Sequence, residues 1–326
     1  MRNLDCNSKG KKMVVAFLDL LGFSFLLEED PKVALNNLNN INNTLLIKKI
    51  DENSKKEDTQ EGKDVTQQIK ESSISSFLYM ISFSDSLVLA SQDPHLFIKQ
   101  LLNYLADLYI EFAKPFMNSF KDINNVRSLR DTTSVRDGFH IDVIRDGAFP
   151  LLFRGGLSFG DDVVFYKENH IYNGEMEKAS LSVTGLTYLE AVKLEQSGKG
   201  PRLFCNEKVV AQISDETIIS KVDAEKNIYE IIWTVQACEK LKCSIGNAAL
   251  KNSLYGSLFM PALNLYNNYR ENQAIAEQYL ELVRLVYRGS LRYAKKESDQ
   301  EYHEVHKALF KILEENDIHL ENPLWD

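Results

Sequence analysis

The chain has 326 residues, 44% of them hydrophobic and 26% charged, enough to bury one large core or two modest ones. Its formal net charge of −9 argues against a general nucleic-acid binder, which carries a basic footprint, but leaves room for a small anionic substrate held by local cations and metal. No apolar window approaches the ~20 residues of a membrane span, the polar N-terminus does not read as a signal peptide, and four scattered cysteines without a C-x-x-C pair point to reduced thiols and a cytoplasmic location.

After a polar tail at 1–12, the run 13–18 (MVVAFL) reads as a buried strand that ends abruptly at Asp19. Leu20, Leu21, Gly22, Phe23 and Ser24 then turn the chain toward a helix. A further helix starts at Asp30 or Pro31 and carries an apolar stripe to Leu46. Residues 51–73 are almost entirely polar and read as a surface loop. Two apolar runs, 77–81 and 87–90, flank 82–86 as a hairpin with Asp85 at or beside its tip. Pro94 opens a strong helix ending near Phe120, and 121–147 is charged and irregular.

Residues 151–164 (LLFRGGLSFGDDVV) read as a second hairpin with Gly155, Gly156 and Gly160 as bend points. A helix follows the glycine turn at Gly185, then a short strand at 201–205 and a short helix at 206–213. This order describes an α+β sandwich with a mixed or antiparallel sheet. From Ile228 onward the pattern reads as helical, notably at 273–295 and 301–315. The expected division is 1–12 as tail, 13–215 as the main domain and 216–326 as a helical C-terminal extension.

The chemistry centres on Asp19 and Asp85. If their strands are neighbours, the two carboxylates converge and repel unless a divalent cation lies between them. Few oxygen ligands, completed by water and substrate phosphates, suit Mg²⁺ or Mn²⁺, and two such ions serve phosphoryl chemistry. The plainer alternative is that both acids cap turns. His303 and His306 lack a third ligand and read as a solvated helix face, and Cys238 and Cys243 as core thiols.

Three separated motifs in order, Asp-Leu-Leu-Gly-Phe-Ser at 19–24, Phe-Ser-Asp-Ser at 83–86 and Arg-Gly-Gly-Leu-Ser-Phe-Gly at 154–160, resemble the signatures of the class III nucleotidyl cyclase domain. With Tyr79 ahead of the second motif, the match is most similar to the bacterial pyrimidine cyclases of the Pycsar anti-phage system. The resemblance implies a class III cyclase-like sandwich over about 13–205. Asp19 and Asp85 would be metal ligands, with the Leu20 carbonyl lent to one of two Mn²⁺ or Mg²⁺ ions per site. The amides of Gly22, Phe23 and Ser24 would hold the β- and γ-phosphates, and Arg154 would contact phosphate. It also implies a head-to-tail homodimer with shared sites, and a separate effector with a cyclic-nucleotide-binding domain as the downstream partner.

Departures from the adenylate cyclase pattern bear on the base. Tyr79 stands where those enzymes carry an adenine-reading lysine, and Ser182 where they carry its partner aspartate. A phenol there shrinks the pocket toward a one-ring base, and the resemblance favours UTP over CTP as substrate. Lys193 falls on a transition-state arginine position and Leu189 on an asparagine position. The lysine keeps the charge without the guanidinium fork; Leu189 cannot serve. The expected function is a uridylate or cytidylate cyclase producing 3′,5′-cyclic UMP or cyclic CMP and pyrophosphate. The alternatives are a purine cyclase with an atypical base pocket and a catalytically silent nucleotide-binding sensor.

Overall fold

The computed structural model describes residues 10–29, most of 31–41, 76–113, 134–136, 139–141, 151–172, 175–245 and 251–320. Strand β1 (Lys11–Leu20) is apolar on both faces because it lies inside the sheet and is covered on both sides. Val14, Ala16, Leu18 and Leu20 enter one core, whereas Met13, Val15 and Phe17 enter the other. By the two-residue period of a strand, Asp19 shares the face of Met13, Val15 and Phe17. Helix α1 (Phe23–Glu29) follows, with Gly22 at φ 75° making the turn into it.

Strands β2 (Tyr79–Phe83) and β3 (Ser86–Ser91) form the expected hairpin, and α2 (Pro94–Ala113) leaves it. Two short strands, β4 (Ser134–Arg136) and β5 (Phe139–Ile141), pair with each other. The long strand β6 (Phe153–Tyr172) pairs with β7 (Glu175–Thr184), and α3 (Leu186–Glu195) packs back across β6 and β1. Then come β8 (Leu203–Asn206), α4 (Glu207–Val210), β9 (Ile219–Asp223) and β10 (Ile228–Ile231). Eight of the described strands form one mixed sheet in the order β2-β3-β1-β6-β8-β10-β9, with β7 off the path against β6. Only β6 and β8 run parallel.

Helices α5 (Thr234–Ile245), α6 (Lys251–Asn268), α7 (Gln273–Glu297) and α8 (Asp299–Glu315) complete the chain. They pack with α2 on the Val14–Leu20 face in one continuous core, where Tyr109 meets the Trp233 ring edge-on. The architecture is α+β with a C-terminal helical stretch. A buried charge cluster fastens those helices to the sheet. Glu230 on β10 is fully buried and accepts two bonds from Arg202, at 2.7 and 2.8 Å, and one from Arg288 on α7 at 2.8 Å.

Two expectations need correction. Residues 151–164 are not a hairpin: β6 runs unbroken through them, and its hairpin partner is β7, so its glycines permit close packing rather than bends. The helical pattern read from Ile228 begins at Thr234, because 228–231 pairs into the sheet as β10 between β8 and β9. The polar loop 51–73 lies outside the described residues, as do all of 42–75 and most of 114–150. His303 is exposed, and His306 stacks on Phe310 and leans on Tyr287 and Tyr302, an aromatic ladder on α8. Cys205 and Cys238 are buried free thiols.

Candidate active site

The first motif and the second meet because β1 and β3 pair antiparallel with Asp19 opposite Ser86. Ser84 and Asp85 are the two residues of the β2–β3 turn, and Ser84 takes the left-handed φ of 53° that a tight hairpin of this hand demands. The Leu20 amide donates to the Asp85 carbonyl at 3.0 Å, and the Leu21 amide to Leu152 at 2.9 Å. Ser86 Oγ donates to Asp19 Oδ1 at 3.2 Å. The Phe-Ser-Asp-Ser motif thus closes the turn, presents Asp85 and supplies one donor to Asp19.

The third motif arrives from the other side. Arg154 is opposite Asp19 on β6, with a guanidinium nitrogen 3.5 Å from Asp19 Oδ2. Its Nε is held by Glu195, a buried carboxylate at the last residue of α3. Burial, Glu195 and Asp85 push the Asp19 carboxyl up to about 6, against the opposing pull of Arg154 and the Ser86 bond.

Both ends of α3 are fixed to β6. Asp162 accepts from the amides of Leu186 and Thr187 and from the Thr187 hydroxyl, which holds its carboxyl below the usual range despite some burial. At the other end, a Cβ at Gly156 would strike the Ala191 carbonyl and lie 2.5 Å from the Glu195 amide nitrogen. Glycine at 156 is the condition for this contact.

The remaining predicted residues are distributed as follows. Gly22 and Ser24 are exposed just past Asp19, while Phe23 sends its ring into the core. Tyr79, on the Asp19 face, stacks on Phe165 with centroids 4.0 Å apart and planes 5° from parallel, and Lys11 Nζ donates to its hydroxyl at 3.4 Å. Ser182 is opposite Tyr166 on the alternate face of the β6–β7 arm from Phe165 and Val183. One chain therefore does not bring Tyr79 and Ser182 to one face. Lys193 and Leu189 are exposed on α3, on the side opposite Glu195.

Among the described residues no group of three or more His, Cys, Asp or Glu could hold a metal by itself. The donor set of Asp19 and Asp85 nonetheless fits a divalent cation. Their carboxylates are hard oxygen ligands beside a half-buried, net-negative site, and too few to saturate an ion without substrate oxygens. Sequence reasoning missed Ser86 as a donor to Asp19, although the motif contains it. Glu195 left no signal in the sequence beyond being an acid two residues after Lys193.

Neither a protein-family model nor a curated protein matches the chain. Among solved structures, the chain is similar to the adenylyl cyclase CyaB from P. aeruginosa at 14% identity, with a TM-score of 0.38 over 68% of this chain and 93% of that one. It is also similar to the dimeric guanylyl cyclase domain of the RhoGC fusion protein from the aquatic fungus Blastocladiella emersonii (14% identity, TM-score 0.38, 69% of this chain and 97% of that one). The guanylate cyclase domain of RhGC from Catenaria anguillulae in complex with GTP shows 10% identity and a TM-score of 0.38 over the same shares, 69% and 97%.

Proposed function

We propose that the chain is a metal-dependent nucleotidyl cyclase acting on a pyrimidine ribonucleoside triphosphate. The observation that carries this reading is the convergence of Asp19 and Asp85, welded by the Leu20–Asp85 backbone bond, with Arg154 alongside. Asp19 and Asp85, with the Leu20 carbonyl, would hold two Mn²⁺ or Mg²⁺ ions. When bound, these supply Lewis-acid stabilisation to the attacking and leaving oxygens.

In the reaction the ribose 3′-oxygen attacks the α-phosphorus in line. A new O–P bond forms, the bond to the β-phosphate oxygen breaks, pyrophosphate leaves and the hydroxyl proton goes to water. The amides of Gly22, Phe23 and Ser24 are assigned to the β- and γ-phosphates. Lys193 is exposed on the side of α3 away from Glu195, which supports assigning its cationic role to the site of a second copy of the chain, in a homodimer with shared sites. Tyr79, its ring fixed flat on Phe165, presents a phenol where a lysine would read a purine, and this supports a one-ring base. Ser182, on the other face of the β6–β7 arm from Phe165, is not assigned to that pocket. The product, cyclic UMP or cyclic CMP, would serve as second messenger to a separate cyclic-nucleotide-binding effector in anti-phage defence.

The test incubates the protein with each of the four ribonucleoside triphosphates and Mn²⁺, identifies products by mass and counts pyrophosphate. Cyclic UMP or cyclic CMP as main product, with preference loosened by Tyr79→Ala, is the expected result. Cyclic AMP or cyclic GMP would overturn the pyrimidine assignment and keep the cyclase; no turnover by folded, metal-supplied protein would overturn the cyclase.

A further inference from the structure

Resting on the cyclase reading above, we infer that Glu195 is a positioning residue of the metal site: it clamps Arg154 so that the guanidinium serves Asp19 instead of the substrate phosphates. Three observations carry this. Glu195 is buried and binds Arg154 through Nε, the inner edge of the guanidinium. The outer nitrogen of the same group is the one near Asp19, at 3.5 Å. Gly156, next but one to Arg154, leaves room for no side chain between β6 and the last turn of α3, so the helix end carrying Glu195 is seated directly on the strand.

Electrostatics give the arrangement a purpose. Asp19, Asp85 and Glu195 carry three negative charges and Arg154 one positive, a balance of −2 that attracts divalent cations to this end of the sheet. A free arginine beside Asp19 would compete with such a cation for the carboxylate. Glu195 offsets the arginine charge while leaving its geometry to hold Asp19 in place, the part an outer partner plays for a metal ligand. The Arg-Gly-Gly motif is accounted for as one unit, in which the arginine orients the aspartate and the second glycine admits the acid that neutralises it.

The charge count makes a prediction that a merely structural role does not. Glu195→Gln changes the balance from −2 to −1, and adding Arg154→Gln returns it to −2. Mn²⁺ binding to the protein together with a 3′-deoxyribonucleoside triphosphate, which cannot cyclise, is measured by electron paramagnetic resonance against the same mixture without protein, with circular dichroism and thermal midpoints as controls for folding. The single Glu195→Gln variant should bind Mn²⁺ about tenfold more weakly, in the range for loss of an outer-shell partner. The double variant should recover to within about threefold of wild type, the non-additivity expected of coupled neighbours. Glu195→Asp should lie between wild type and Glu195→Gln. An unchanged Mn²⁺ affinity in Glu195→Gln, or a double variant weaker than the single, would overturn the inference while leaving the metal site intact. Failure of the metal reading itself has a different signature: Mn²⁺ binding absent in the wild type, or unaffected by Asp19→Ala, and then both fall together.

Discussion

Leu20 donates its amide to the carbonyl of Asp85 at 3.0 Å, and this single backbone bond holds two like-charged side chains within reach of each other. The side chains themselves contribute no core packing there. Asp19→Ala or Asp85→Ala should therefore lower turnover by about 10³-fold or more. For Asp19→Ala the metal-free thermal midpoint should not fall, because the substitution removes a carboxylate that burial and its neighbours disfavour. Steady-state kinetics beside differential scanning calorimetry checks both halves. Near-wild-type turnover in either variant at matched stability contradicts the two-metal assignment.

Gly156→Ala tests the seat of α3. The added Cβ meets backbone atoms of Ala191 and Glu195 instead of a flexible side-chain end, so relief requires the helix to move off the strand. The expected loss is about 3 kcal/mol or more, the upper range for overpacking, read as a drop in the urea midpoint at unchanged slope. Gly160→Ala is the informative comparison, since its Cβ would meet the Thr187 side chain, which can rotate at the expense of its bond to Asp162. A smaller loss is expected there, and equal losses would contradict the assignment of Gly156 as the tighter contact.

Glu230 gives the pH dependence. Although burial opposes its ionisation, bonds and charge from Arg202 and Arg288 hold its carboxyl below the usual glutamate range. A depressed folded-state pKa contributes stability that is present above the unfolded glutamate value, ~4.3, and is lost as pH falls through the lower folded value. The acid limb of the stability curve should steepen below about pH 4.3 for wild type and be shallower in Glu230→Gln. At neutral pH Glu230→Ala should cost about 3 kcal/mol, the lower end for breaking a buried pair, because two largely enclosed guanidinium groups lose their shared carboxylate while Arg202 keeps Glu281 at 3.6 Å. Thermal unfolding from pH 3 to 8 reads both effects, and a Glu230→Ala protein within 1 kcal/mol of wild type at pH 7 contradicts the clamp.

How much of this was legible in the sequence depends on whether the signal was local. The strand through Met13–Leu18, the hairpin around Asp85 and the helices at 94, 186 and 273 follow from periodicity and turn residues, and the structure has them. The glycines at 155 and 156 misled because a glycine that bends a chain and a glycine that admits a neighbour look alike from one strand. Only the packing of α3 against β6 distinguishes them. The same holds for Ile228–Ile231, a four-residue run too short for its period to separate strand from helix. Glu195 was invisible for a related reason: its partner Arg154 is 41 residues away, and no spacing rule links a helix C-terminus to a strand it crosses.

The last prediction concerns assembly. On α3 the outward stripe is Leu186, Leu189 and Lys193, with Leu186 75% and Leu189 45% exposed, and Phe83 on β2 is 44% exposed on the Asp19 face of the sheet. Two exposed leucines and an exposed lysine on one side of α3 are the surface a second copy would cover. Asp19→Ala and Lys193→Ala chains should each be inactive alone and regain activity when mixed. In a mixed dimer one of the two shared sites keeps both its Asp19 and its Lys193, and random exchange makes half the dimers mixed, so recovery should approach about one quarter of wild type. Leu186→Glu should shift the sedimenting species toward monomer and remove activity without lowering the thermal midpoint of the monomer, since the side chain packs against little in its own chain. A monomeric wild-type enzyme with full turnover, or a mixture that stays inactive under conditions where tagged subunits demonstrably exchange, contradicts the shared site.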